Sequence, residues 1–142
     1  MRLTLIVVVA LTGCSTLPTE HAYSEREMMT TAVALTKVSA AAEANLRYGP
    51  PSEMFSDEEF LIRSVAHDPT LLPPFSEYQI RATRQENHAA ILVCSKDGST
   101  ALLEDAGCTA VMDIHRWKEH PGKPCTFTVN LAELCAKTIS DQ

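Results

Sequence analysis

The one cluster whose residue types and spacing suit a metal is Asp113-x-His115-x4-His120, close to Cys108. A carboxylate and two imidazoles are ordinary ligands for zinc. The spacing argues against it, because a helical zinc site uses histidines at i and i+4, and here the last histidine abuts Pro121. Solvated loop residues account for the three, so a metal-binding protein or enzyme using Asp113, His115 and His120 is the second reading of function. Other chemistry is scarcer still. Neither Gly-x-Ser-x-Gly nor Ser-x-x-Lys occurs. Lys96-Asp97-Gly98-Ser99 brings a lysine near a serine, but Asp-Gly is a turn signal and accounts for it. Glu104-Asp105 sets two carboxylates side by side at a strand end, where acid–base work is conceivable. A solvated turn before Ala106-Gly107 is the plainer reading. His67 and His88 fall at a predicted helix end and a predicted turn, where hydrogen bonding explains them. No catalytic residue is assigned and no cofactor or metal is expected.

The cysteines carry more information. Of five, Cys94, Cys108, Cys125 and Cys135 cluster in the C-terminal third. An even number in an exported chain reads as two disulfides. No Cys-x-x-Cys pair occurs, which disfavours both a zinc ribbon and a redox motif. Sequential pairing, 94–108 and 125–135, is the default expectation. A straight strand from Cys125 to Val129 would however carry Cys125 away from Cys135, and Cα atoms beyond about 7 Å cannot be bridged. All three connectivities stay open.

The fifth cysteine belongs to the N-terminus. Arg2 supplies positive charge, Leu3–Leu11 is a short apolar run, and small residues precede Cys14. That is the pattern of an export signal. The run is too short for a bilayer core, which needs about 20 residues. Its rival, a buried strand over Leu5–Val9, fits the terminal position poorly. Leu11-Thr12-Gly13-Cys14 resembles the lipobox of bacterial lipoproteins, and this resemblance covers residues 1–15 only. It implies cleavage before Cys14, acylation of Cys14 with palmitate-type chains and attachment to a membrane. Ser15, in place of an aspartate, implies sorting to the periplasmic face of a Gram-negative outer membrane. The expected organisation is residues 1–13 as signal peptide, 14–22 as lipidated tether and 23–142 as one α+β domain. The tether spans under about 30 Å and holds the folded part near the bilayer.

Charge sets limits on partners. The whole chain carries −6, and removing residues 1–13 deletes Arg2 and no acid, giving −7. An acidic protein without a basic run is a poor fit to nucleic acid. Aromatic content of 6%, scattered, offers no stacking platform for bases. Hydrophobic content of 45% with 21% charge is that of a globular domain rather than a disordered one.

The elements follow from caps and periodicity. Ser24-Glu25-Arg26-Glu27 is a capping box with Tyr23 and Met28 as staple, predicting a helix from about Glu25 to Arg47. Met28, Ala32, Leu35, Ala42 and Leu46 mark its inner face, and Met29, Val33, Ala40 and Ala44 widen the stripe. Between Glu27 and Glu43 its only charge is Lys37. Ser56-Asp57-Glu58-Glu59 predicts a second helix to about His67, before Asp68-Pro69. Leu71, Leu72, Phe75 and Tyr78 then form a proline-stiffened buried strap. Tyr78–Glu104 reads as a three-stranded antiparallel meander, its second turn at Asp97-Gly98. Thr109–His120 reads equally as strand or helix. Cys125–Val129 is expected as a last strand before a C-terminal helix at Leu131–Ile139.

The order helix, helix, meander resembles small outer-membrane lipoproteins that assist assembly of envelope complexes, at the level of fold alone. The first reading of function is therefore a non-catalytic outer-membrane lipoprotein, an accessory or partner-binding subunit of an envelope complex. Its partners would be the membrane, through the lipid on Cys14, and an envelope protein.

Overall fold

Ser24 starts the first helix, α1 (Glu25–Tyr48), through a reciprocal cap. Its hydroxyl accepts from the Glu27 backbone N–H, and the Glu27 carboxylate accepts from the Ser24 backbone N–H. Two orphan donors at the helix end are satisfied at once. Ser56 likewise caps α2 (Asp57–Ser64) by accepting from Glu59 N–H at 3.1 Å. Asn130 accepts from Glu133 N–H at the head of α3 (Leu131–Ser140). This computed structural model describes residues 23–109, 112–113 and 116–140. The segment holding Cys14, and His115, lie outside the described residues.

Four strands follow one another in space as in sequence: β1 (Gln79–Gln85), β2 (His88–Cys94), β3 (Ala101–Ala106) and the short β4 (Met112–Asp113), all antiparallel. The Asp97-Gly98 turn between β2 and β3 forms as expected. Gly98 takes φ +73°, and a Cβ there would meet the Gln79 side chain at 2.5 Å. Asp97 fixes the turn by accepting from the Ser95 and Ser99 hydroxyls and from Ser99 N–H. These bonds favour its charged form and lower its pKa to about 2.

The sheet is covered on both sides. Along one side run Ala89, Ile91, Val93, Leu103 and Asp105, under α1 and α2 with Phe60, Leu35, Val38 and Met28. A register shift at Val93/Cys94 leaves Leu102 unpaired, and both Leu102 and Leu103 join this core. Along the other side lie Ala90, Leu92, Cys94, Ala101, Glu104 and Ala106, covered by residues 125–135. Double coverage explains why β3 is buried at every position and β2 at all but His88. The fold is α+β, with N-terminal helices on an antiparallel meander and a disulfide-stapled C-terminal part. No helix among the described residues is long and apolar enough to cross a membrane.

The strap forms as two 3₁₀ turns, Pro69–Leu71 and Pro73–Phe75, with Phe75 buried and Leu71, Leu72 and Tyr78 packed against the core. Two expectations are corrected and one open reading is resolved. Cys125–Val129 is not a strand: its only ladder contact is the neighbouring bridge Thr100↔Pro124, and the Glu104 side chain supplies the anchor a sheet partner would have given. The ambiguous stretch resolves, where described, into β4 and a 3₁₀ turn at Arg116–Lys118. Met29, Val33, Ala40 and Ala44 do not extend the buried stripe of α1 but face outward.

Candidate functional site

The disulfides join Cys94 to Cys125 and Cys108 to Cys135, each with Cα atoms 5.7 Å apart. The default sequential pairing is overturned. Cys94 ends β2 while Cys108 follows the end of β3, and antiparallel pairing puts those two strand ends at opposite ends of the sheet. Cys125 passes behind the Cys94 end, packing with Leu92 and Ala101, and α3 brings Cys135 behind Ala90 and Ala106. Each staple thus closes across the far face where covering chain and sheet already touch.

Asp113 and His120 are both exposed, Asp113 on the edge strand and His120 before the cis peptide bond to Pro121. Neither belongs to the close donor group that the described residues contain. That group is His88, Cys108 and Cys135, whose ligand atoms all lie within 4.8 Å of one another. The topology explains it. The two-residue turn Glu86-Asn87, with Glu86 at φ 55°, starts β2 at His88. Ala90 pairs with Ala106, so the residues leaving β3 pass beside those entering β2, and Gly107 N–H donates to Ala89 C=O at 2.9 Å.

Glu43 holds the imidazole from α1. Its carboxylate meets His88 Nδ1 at 2.7 Å, accepts from Ala89 N–H at 3.1 Å and takes Arg47 Nη2 at 3.3 Å. The side chain is nearly buried, with 8% of its surface exposed. Close approach makes this possible: a Cβ on Gly107 would lie 2.7 Å from Ser39 O and 3.0 Å from Glu43 Cβ. Any side chain there would push α1 off the sheet. Spacing in sequence could not reveal this node, since its four members come from α1, β2, the β3–β4 connection and α3. Only Glu43, an acid on the apolar inner face of a helix, gave a local hint.

The expected solvated turn at Glu104-Asp105 is overturned: both acids are buried, on opposite faces of β3. Glu104 accepts from Arg116 Nη1 at 3.1 Å, from Thr128 N–H at 2.8 Å, from Val129 N–H at 3.3 Å and from the Thr128 hydroxyl. Arg116, 3% exposed, also donates to Thr126 C=O at 3.0 Å. Every strong acceptor direction is used, so this is a clamp rather than a reactive acid. Asp105 faces α1. Burial pushes its pKa up to about 6, while the Ser39 hydroxyl, buried and without a conventional hydrogen bond, pulls weakly the other way.

Two surface features complete the inventory. A shallow open groove of about 450 Å³ lies beside the start of α1, lined by Arg26, Glu27, Thr30, Pro74 and Tyr78. Tyr78 Oη donates to Glu27 Oε1, and burial followed by that bond pushes its pKa up to about 12, so it stays a neutral donor. The outward side of α1 is the second. Met29, Val33 and Tyr48 are exposed by 47%, 60% and 86%, with the small Ala40 and Ala44 between them. The exposed charges of α1 are the basic Arg26, Lys37 and Arg47 and, in its first turn, the acidic Glu25, which pairs with Lys118, on a chain of net charge −6. Comparison with protein-family models, curated proteins and solved structures finds no match.

Proposed function

We propose that this chain is a lipid-anchored, non-catalytic subunit of an envelope complex, tethered by Cys14 to the periplasmic face of the outer membrane, that binds its partner through the outward side of α1. The observation that carries the reading is that side's chemistry. It is apolar and small-residue around Val33, Ala40 and Ala44, carries Arg26, Lys37 and Arg47 along its length, and the helix that bears it begins at Glu25, one short tether away from the expected lipid on Cys14. The partner it fits is an envelope protein offering an apolar helix flanked by acids, which Ala40 and Ala44 would let approach closely. The buried polar groups support the same reading, since Glu104 and Arg116 are fully used inside the fold. The alternative, a periplasmic enzyme or metal-binding protein using Asp113, His115 and His120, draws no support from the exposed positions of Asp113 and His120.

A photo-crosslinker placed at Val33 or Ala40 in the intact envelope tests this. One protein should be captured at both positions, and Val33→Glu with Ala40→Glu should abolish its co-purification while the melting temperature stays unchanged. Cys14→Ser should block fatty-acid labelling and reduce the same capture. Capture that survives the double glutamate variant defeats the partner surface. Fatty acid entering the Cys14→Ser protein defeats the anchor.

A further inference from the structure

We infer that opening the Cys108–Cys135 disulfide converts this node into a metal site for a thiophilic d¹⁰ cation such as Zn²⁺, with His88, Cys108 and Cys135 as ligands and Glu43 as the residue that orients His88. In a disulfide the two sulfurs are spent on each other. As thiolates they are among the strongest ligands such ions have. What distinguishes this cystine from Cys94–Cys125 is the imidazole. His88 places a ring nitrogen within 4.8 Å of both sulfurs, and no histidine joins the other pair in a donor group among the described residues.

The orientation of the ring is already set. Glu43 engages Nδ1 at 2.7 Å, which leaves Nε2 as the nitrogen open to a metal. A carboxylate on the far nitrogen of a ligating histidine fixes tautomer and angle and raises ligand basicity. Glu43 is itself fixed by Ala89 N–H and Arg47, so this support does not have to assemble when metal arrives. Three protein ligands with a fourth position for water is a familiar zinc arrangement. Access exists on one side: Cys135 is buried at 1%, but Cys108 and His88 are only half-buried.

The chemistry balances with a dithiol as reductant. Its thiolate attacks one sulfur of Cys108–Cys135, and the resulting mixed disulfide resolves as its second thiol displaces the remaining cysteine. The dithiol leaves as its own disulfide, having given two electrons and two protons. Zn²⁺ then displaces the two thiol protons. Metal binding and the disulfide are mutually exclusive, so the ion also protects the thiols from reoxidation.

The test uses the full chain carrying Cys14→Ser, so that Cys94, Cys108, Cys125 and Cys135 are its only cysteines. It is reduced, freed of reductant under inert gas, and titrated with Zn²⁺ against a chromophoric chelator. Circular dichroism follows the helices throughout. The reduced chain should bind one Zn²⁺ and the oxidised chain none at that site. Replacing Cys94 and Cys125 by alanine should leave binding intact, and His88→Ala should lose it. Glu43→Gln should weaken it by about 10–100-fold, the usual effect of losing such a support. Substituted Co²⁺ should show sulfur charge-transfer bands that change in His88→Ala, a signature no merely structural role would give. Zn²⁺ should slow re-formation of Cys108–Cys135 in the parent but not in His88→Ala. Equal binding by His88→Ala, equal binding by the oxidised chain, or no binding by the reduced chain, folded or unfolded, would overturn the site.

Discussion

Asp105 is a carboxyl whose burial the fold tolerates at a cost. Its pKa rises from 3.8 to about 6 because the charged form is desolvated against α1. A folded pKa above the unfolded one means the native state holds the proton more tightly. That contribution is fully present below about pH 4 and is lost as pH rises through about 6. A shift of this size is worth roughly 2–3 kcal/mol. Asp105→Asn should therefore raise stability at pH 7 by up to that amount and flatten the melting temperature between about pH 4 and 7, measured by thermal scans across pH. A variant no more stable than the parent at pH 7, with the slope retained, would place the titration elsewhere. The sequence drew notice to the Glu104-Asp105 pair but gave no sign of its burial. Two adjacent acids before Ala-Gly have the local look of a turn, and only the coverage of both faces of β3 buries them. The Asp97 turn was legible for the opposite reason: its chemistry is complete within five residues.

At the scale of elements, the starts of α1, α2 and α3 and the order of the three main strands were readable, because caps and alternation are local. What could not be read was how the last third attaches. Cys125–Val129 has a strand's alternation, and Phe127 and Val129 do point inward, yet no ladder forms. Glu104 takes the place of a neighbouring strand by accepting from two backbone N–H groups of that segment while Arg116 ties down Thr126 C=O. The clamp is a buried pair, so removing one charge strands the other. Glu104→Gln should cost about 3–5 kcal/mol in denaturant midpoint experiments. Removing both charges, with Glu104→Gln and Arg116→Met together, should cost less than the sum of the single changes, and additive losses would mean the two do not act as a unit. The width of the α1 stripe was illegible on similar grounds. Periodicity reports apolar positions around the helix, but the sheet has room for only part of the arc.

The molecule as a whole is a sheet with two differently held covers. α1 and α2 reach the near face through a large apolar core, centred on Phe60, Leu35 and Ile91. The far face is held by the Glu104 clamp, a small core around Leu131, and the two disulfides. The staples interleave, since Cys108 lies inside the loop closed by Cys94–Cys125 and Cys125 inside the loop closed by Cys108–Cys135. With separations of 31 and 27 residues, each closes a loop worth roughly 3–4 kcal/mol in the chain-entropy account. Shared residues make the two values less than additive. Replacing Cys94 and Cys125 by alanine should then lower the melting temperature by roughly 10–20 °C. The loss should fall unevenly: hydrogen exchange should speed up at residues 125–135 well before it does along α1, whose burial does not depend on the staples. Thiol counting on unfolded, unreduced protein taken from an oxidising compartment should find no free thiol beyond an unlipidated Cys14. Exchange that accelerates equally in α1 and α3 would mean the two covers melt as one, and free thiols in the native protein would mean the far face is held by its polar clamp and small core alone.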